Sequence, residues 1–275
     1  MEVENTALKE FDTAHPNYER WKRARDISIE RGKFVKSIVS NFIVCKNLKV
    51  LDIGSGEGAT AKVFADENIV VSMEKNPVRL KKQVENGSDF LVIGDGKYLP
   101  LQEKIFDLII LQDSIEHLNF EEGFFEKLNQ LLKEKGIIYL STPNKYSIFN
   151  ILADPHWGLP IVSLLSRKNI KNFILRHLRK KDYLRDDIAE LFSLSELKPI
   201  LEKHFQMTLN TKFAVKEIIN GNKGLIWSNF HLALVGLIEK IHIKNLLVKI
   251  ANDKNGIINK FFTPTFYLIL KKKHP

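Results

Sequence analysis

The 275-residue chain has one cysteine, Cys45, so no internal disulfide can brace it and its core must hold by packing. It has no apolar run approaching the roughly twenty residues that cross a bilayer. Met1 to Glu10 is polar and acidic, without the apolar centre of a secretory leader, and the reading is a cytoplasmic protein. No internal repeat and no low-complexity linker interrupts the sequence, which argues for additions to one domain rather than an array. With 44% hydrophobic residues, the chain is long enough to bury a full core.

Acidic residues are scarce in the second half. Residues 1–157 hold 21 Lys+Arg against 24 Asp+Glu, while residues 158–275 hold 21 against 9, so the net charge of +9 belongs to the C-terminal part. Pro160 to Lys181 has no acid at all, and Arg167, Lys168, Lys171, Arg176, Arg179, Lys180 and Lys181 interleave there with apolar residues. Such a segment suits a lid over an anionic substrate or a contact with a membrane surface; for most of its charges a plain solvated face is the more economical reading.

What is present is organised around Val50-Leu51-Asp52-Ile53-Gly54-Ser55-Gly56-Glu57-Gly58. Apolar residues before it read as a buried strand, and Ala59 to Ala65 reads as a helix. Glycines between strand and helix allow a sharp turn and close approach of a ligand to backbone N–H groups at a helix start. Three more apolar strands follow, each ending in polar residues. Val70 to Glu74 ends in an acid, Phe90 to Ile93 runs into Gly94-Asp95-Gly96, and Phe106 to Leu111 runs into Gln112-Asp113-Ser114 before Glu116-His117-Leu118. In an open parallel sheet, ligands bind beyond these carboxyl ends. Acids at such positions also cap helices, and a dinucleotide-binding domain shares the glycine pattern.

As an ordered set, these motifs resemble the class I S-adenosylmethionine-dependent methyltransferases over residues 47 to 145. The resemblance implies an α/β fold with a doubly wound, mostly parallel seven-stranded, Rossmann-like sheet and helical lid additions. It implies S-adenosyl-L-methionine as cofactor. Asp52, Gly54, Ser55 and Gly56 would lie by its methionine part, Glu74 would take the ribose hydroxyls and Asp95 the adenine amine, Gln112 and Asp113 would border it, and Lys75 and Gly96 would join the cofactor-binding set. A nicotinamide-binding domain would need neither Asp95 nor the acid before the first glycine.

The expected organisation is one domain. An N-terminal helical cap covers 1–46, the cofactor-binding core 47–145, a lid insertion 146–192, and a C-terminal part 193–275 with an apolar helical excursion at about 213–262. Glu121 to Lys133 reads as a helix stopped at Lys135-Gly136, and Ile137 to Thr142 as the fifth strand. Ser193 and Glu196 are spaced as a capping box, His204 to Met207 reads as the sixth strand and Phe266 to Leu270 as its antiparallel partner. The excursion either closes a hydrophobic pocket, with Trp227 and Phe230 buried, or meets lipid or a partner; the pocket lid is preferred because it needs no partner.

The segment after strand five, Pro143-Asn144-Lys145-Tyr146-Ser147 and then Asp154-Pro155-His156-Trp157-Gly158-Leu159-Pro160, resembles an insertion found in one branch of these enzymes. Tyr18, Trp21, Asn144, Tyr146 and Trp157 are the expected substrate contacts. His156, or alternatively His117, is the expected base. Each histidine also has an ordinary structural reading.

Gln112-Asp113-Ser114-Ile115 departs from the Asp/Asn-Pro-Pro-aromatic segment of base-amino methylation, Cys45 lies too early for a nucleophilic thiolate, and no metal-binding set of acids stands out. These departures leave methyl transfer to an oxygen, nitrogen or carbon of a metabolite; the hydrophobic and basic additions favour a hydroxyl oxygen of a small-molecule, saccharide or lipid-linked acceptor, with peripheral contact at the inner face of a membrane and no nucleic-acid partner. An RNA methyltransferase, and a non-catalytic protein that keeps the cofactor fold, stand as alternatives.

Overall fold

The computed structural model describes residues 13–85, 90–222, 225–226 and 229–273. Its centre is a seven-stranded sheet built from β1 (Lys49–Ile53), β2 (Ile69–Glu74), β3 (Phe90–Ile93), β4 (Phe106–Gln112), β5 (Leu132–Pro143), β6 (Phe205–Leu209) and β7 (Thr265–Lys272). The strand order is β3-β2-β1-β4-β5-β7-β6. The first five strands run parallel, and β7 inserts antiparallel between β5 and β6. The order reverses between β1 and β4, so the loops after these two strands open a crevice at the switch point.

Period-two alternation assigns the side chains to two faces. Leu51 and Ile53, Ile109 and Leu111, Ile138 and Leu140, and Phe266, Leu268 and Leu270 point to one core. There they meet Phe124, Phe125, Leu128 and Leu131 of α5 (Phe124–Leu131) and Leu194, Leu197 and Leu201 of α7 (Leu194–Glu202). Val50, Leu108, Ile110, Ile137, Tyr139 and Ile269 point the other way, onto Phe34, Val35, Ile38 and Val39 of α2 (Ser28–Val39) and Phe64 of α3 (Ala59–Ala65). Both faces are covered, which is why β1, β4 and the last residues of β5 are apolar almost throughout. Further α-helices are α1 (Tyr18–Asp26), α4 (Pro77–Glu85), α6 (Ile148–Leu152), α8 (Thr211–Ile219), α9 (Asn229–Lys240) and α10 (Lys244–Ile250), and the basic segment adds a helical turn at Arg167–Asn169 that runs into a π-helix at Ile170–Leu178.

Two local expectations change. The helix expected to stop at Lys135-Gly136 ends at Leu131, and β5 already begins at Leu132. Its register against β4 shifts between Phe106 and Leu108, and a Cβ on Gly136 would lie 2.9 Å from the Phe106 carbonyl oxygen. Gly136 thus serves close strand approach at a bulge, not a helix cap. The capping box at Ser193 and Glu196 forms as expected, with the Ser193 N–H donating to Glu196 Oε2 at 2.7 Å.

The segment 146–192 is closed at its base by a bridge between Asn144 and Phe192 and has its own small core of Trp157, Val162, Ile170, Leu175 and Ile188. In the excursion, Leu225 and Ile226 are buried and Leu232 and Val235 pack on the sheet, but Phe230 is exposed, with Leu237, Ile241, Leu246 and Ile250. The expected burial of Phe230 is therefore corrected: α9 packs through part of its surface and leaves the rest outward. Trp227 lies outside the described residues. No helix among the described residues is long and apolar enough to cross a membrane.

Candidate functional site

The turn after β1 carries positive φ at Gly54 (73°) and Gly56 (58°), a region that side chains disfavour. At Gly54 space is also short, because a Cβ would sit 2.9 Å from the Ser114 Cβ. The turn is propped from below by Gln83, whose amide donates to Ser55 Oγ at 2.8 Å and to the Gly56 carbonyl at 2.7 Å. Gln83 is fully buried, and nothing in the local sequence around it announces this role.

Glu74 ends β2 beneath that turn. Its Oε2 accepts the Gly56 N–H at 2.9 Å and its Oε1 accepts the Asn76 N–H at 2.8 Å, so one carboxylate fixes both loops and keeps further lone pairs. Asp52 is buried beside it, with Oδ2 lacking a hydrogen-bond partner. Burial, reinforced by the Glu74 charge, pushes the Asp52 carboxyl up to about 7. Asp95 caps its own turn through the Lys97 N–H, and Lys75 lies between Asp95 at 3.8 Å and Asp186 at 3.0 Å. Gly96 packs against Ile53, leaving no room for a side chain.

At the end of β4, Gln112 Oε1 accepts from Thr60 Oγ1 at 2.5 Å. Asp113 adopts φ 47°, rare for a non-glycine residue and costly unless the surroundings enforce it. They do: its N–H donates to the Ser141 carbonyl at 2.9 Å, Ser141 Oγ donates to its Oδ1 at 2.8 Å, and Arg31 of α2 pairs with its Oδ2. Arg31, Asp113, Tyr139 and Tyr267 also line a cavity of about 20 Å³, room for roughly one water and not for an acceptor.

Beyond Asp113, the chain turns and presents Glu116 and His117. Glu116 is fully buried; Thr142 Oγ1 donates to its Oε2 at 2.9 Å, and its Oε1 lies 3.8 Å from His156 Nε2. Burial, with the charge of Asp113, pushes its carboxyl up to about 8. The His117 and His156 rings meet edge to face with centroids 5.0 Å apart. Burial pushes both imidazoles below their usual range, and His156 further, where the neighbouring His117 adds to the effect. The two histidines weighed as alternatives in the sequence are thus companions, and Glu116 joins them with ligand atoms all within 4.8 Å of one another. Only its place beside His117 hinted at this.

The insertion is clamped over this group. Asp154 Oδ1 accepts the N–H groups of His156 and Trp157, both at 2.8 Å, and Arg20 of α1 donates to the carbonyls of Asp154 and Pro155. Burial pushes the Asp154 carboxyl up to about 6. Arg167, read as one of the cations of a solvated face, instead donates to the carbonyls of Ile188, Glu116 and Leu118. Arg185 pairs with Asp187 through both prongs, at 2.8 and 2.7 Å, and its guanidinium lies 5.7 Å from the Trp21 ring and 5.9 Å from the Trp157 ring. Trp21 in turn stacks on His15, which reaches Asp182 at 3.0 Å.

The expected substrate residues therefore divide. Trp21 and Trp157 share the Arg185 cluster next to the histidines, and Tyr18 on α1 is half-buried. Asn144 is corrected: it is buried, its amide donates to the carbonyls of Asn259, Lys260 and Thr263, and its Oδ1 accepts the Tyr146 N–H. With every polar atom engaged by backbone, it latches the insertion to the C-terminal segment. Tyr146 lines a separate groove with Ser193, Leu194, Lys260 and Phe261 and does not join the histidine group.

Residues 51–140 match the family described as "Methyltransferase domain". A sarcosine/dimethylglycine N-methyltransferase of Aphanothece halophytica is 29% identical over 104 residues, covering 34% of this chain and 38% of that protein. A ubiquinone biosynthesis O-methyltransferase of Bartonella quintana is 26% identical over 165 residues, covering 58% of this chain and 60% of that protein. The matched part is thus less than two thirds of either relative. Among solved structures, a SAM-dependent methyltransferase of Thermotoga maritima superposes with a TM-score of 0.55 at 17% identity over 98% of both chains, a likeness of fold. Residues 51–140 thus carry a match to the methyltransferase domain family, on a sheet whose strand order and strand-end motifs agree with it.

Proposed function

We propose that the chain transfers the methyl group of S-adenosylmethionine to a hydroxyl oxygen of a small-molecule, saccharide or lipid-linked acceptor. The observation that carries this reading is the continuity of two groups along one sheet edge. Asp52, the glycine turn, Glu74, Asp95 and Asp113 stand at successive strand ends, and Glu116, His117 and His156 adjoin them under the insertion. Asp52, Gly54, Ser55 and Gly56 would hold the methionine part, Glu74 and Lys75 the ribose, Asp95 and Gly96 the adenine, and Gln112 and Asp113 the border towards the methyl group.

The sulfonium is already activated, so the protein's contribution is alignment, exclusion of water and removal of the acceptor's proton. An amine acceptor above its pKa offers a lone pair unaided. A hydroxyl does not, and two adjoining imidazoles held unprotonated by burial suit that harder case. The curated relatives include an O-methyltransferase and an N-methyltransferase, and this difference in need for a base favours oxygen.

The test is incubation with methyl-labelled S-adenosylmethionine and fractionated cell extract, followed by mass analysis of the labelled product. A labelled ether supports the reading, and a labelled amine moves it to nitrogen. Cofactor binding without label transfer in any fraction leaves the non-catalytic alternative.

A further inference from the structure

We infer that Glu116, His117 and His156 form a binding site for a divalent first-row metal ion, such as Zn²⁺, on which the acceptor oxygen is held. The inference rests on the methyl-transfer reading for its role but not for its existence. Two imidazole nitrogens and one carboxylate oxygen lie within 4.8 Å of one another, a donor set that leaves further positions on the ion open.

Two of the donor side chains are oriented from behind, and the third is positioned through its backbone. The Asp187 carbonyl lies 2.8 Å from His117 Nδ1 and can only accept, so that nitrogen carries the proton and Nε2 presents its lone pair. Thr142 donates to Glu116 Oε2 at 2.9 Å, which leaves Oε1, buried and without a hydrogen-bond partner, turned towards His156 Nε2 at 3.8 Å. The backbone of His156 is fixed by Asp154, and that loop by Arg20. The three donors thus arrive from the turn after β4 and from the insertion, each with its own support. Metal bonds of about 2.0 to 2.2 Å require the set to contract by up to about 1.5 Å, within reach of rotamer adjustment in a loop pair.

The site also stands where the reaction needs it, just past Asp113 at the strand edge assigned to the cofactor's methyl side. An acceptor hydroxyl bound to the ion would lose its proton to water more readily. Its oxygen lone pair then forms the C–O bond as the methyl C–S bond breaks, and that bonding pair stays on sulfur. The products are the methyl ether, neutral S-adenosylhomocysteine and one proton, which balances the charge of the sulfonium.

The test uses the full chain without a histidine tag, stripped with chelator. It is titrated with Zn²⁺ by calorimetry and with Co²⁺ by visible absorption, and in parallel with S-adenosylmethionine. One equivalent of metal should bind and Co²⁺ should give d–d bands. Glu116→Gln and His156→Ala should each weaken binding at least a hundredfold, more than is typical of losing an outer-shell partner. His204→Ala, on the far side of the sheet's edge, should change nothing. Absence of stoichiometric binding in the wild-type protein overturns the site, as does binding that survives both variants. If S-adenosylmethionine binds normally in that case, the methyl-transfer reading stands without the metal. If metal binds but no methyl is transferred to any acceptor, the site stands and the reading falls. Should Glu116→Gln fail to fold, the wild-type titration and His156→Ala decide the matter.

Discussion

The backbone N–H of Gly56 donates to the carboxylate of Glu74 at 2.9 Å, tying the glycine turn to the end of the neighbouring strand. One residue therefore shapes the loop and offers remaining lone pairs to a ligand above it. Glu74→Ala should weaken S-adenosylmethionine binding by about 1 to 3 kcal/mol, the range for hydrogen bonds to a charged group. Gly56→Val should be at least as damaging, because φ of 58° strains a β-branched residue. Calorimetry on the folded variants checks both, and unchanged affinity in Glu74→Ala removes the ribose assignment.

Asp52 makes a prediction about pH. Its carboxyl is pushed from the ordinary 3.8 up to about 7 by burial and by Glu74, so the folded protein keeps a proton that the unfolded chain has released. Between these values the folded state binds more protons, and stability falls as pH rises, by up to about 4 kcal/mol if the shift is fully expressed. Asp52→Asn abolishes this dependence. Without cofactor, the variant should match the wild type near pH 4 and exceed it at pH 8, while binding S-adenosylmethionine more weakly. Denaturant unfolding at the two pH values is the measurement, and an equal difference at both would contradict the assignment.

Asn144 tests the distinction between a latch and a substrate contact. Its side-chain amide serves three carbonyls between Asn259 and Thr263. Asn144→Ala should destabilise the fold by about 2 to 4 kcal/mol through buried carbonyls left without a donor, with cofactor affinity nearly unchanged. A raised acceptor KM at undiminished stability would return Asn144 to the substrate side.

The strand-end acids were legible in the sequence because their physics is local. Apolar runs of strand length, each closed by a polar residue, place those residues on one edge whatever else the chain does. The grouping of Glu116 and His117 with His156 was not legible, since it depends on how the insertion folds back, which Arg20, Arg167 and Asp154 decide through backbone carbonyls and N–H groups. Gly136 misled for a related reason: a glycine after a helical pattern reads as a cap, and the bulge that needs it exists only once β4 and β5 pair. The excursion carried too many apolar residues on every side for its sequence to say which would face the sheet, and Phe230 turned outward.

Arg185 joins three parts of the molecule, and its replacement tests whether the insertion acts as a fixed cover. Its two-pronged pairing with Asp187 holds the residue whose carbonyl orients His117. Its planar face lies near the rings of Trp21, from α1, and Trp157, from the insertion. Asp187 is held below the usual carboxylate range by the Arg185 charge and hydrogen bonds, against the opposing effect of burial. Lysine keeps the charge but lacks the fork and the flat guanidinium, so Arg185→Lys separates geometry from electrostatics. The variant should fold, lose about 1 to 2 kcal/mol of stability, and exchange backbone hydrogens faster over residues 182–187 and 13–21. Its affinity for S-adenosylmethionine should hold within about threefold, because among the strand-end residues Lys75 meets this segment through the exposed Asp186 and not through Arg185, whereas acceptor turnover should drop about tenfold. Unchanged exchange in both segments would show that Arg185 does not hold the cover in place, and an equal loss of cofactor affinity would place the cluster on the cofactor side.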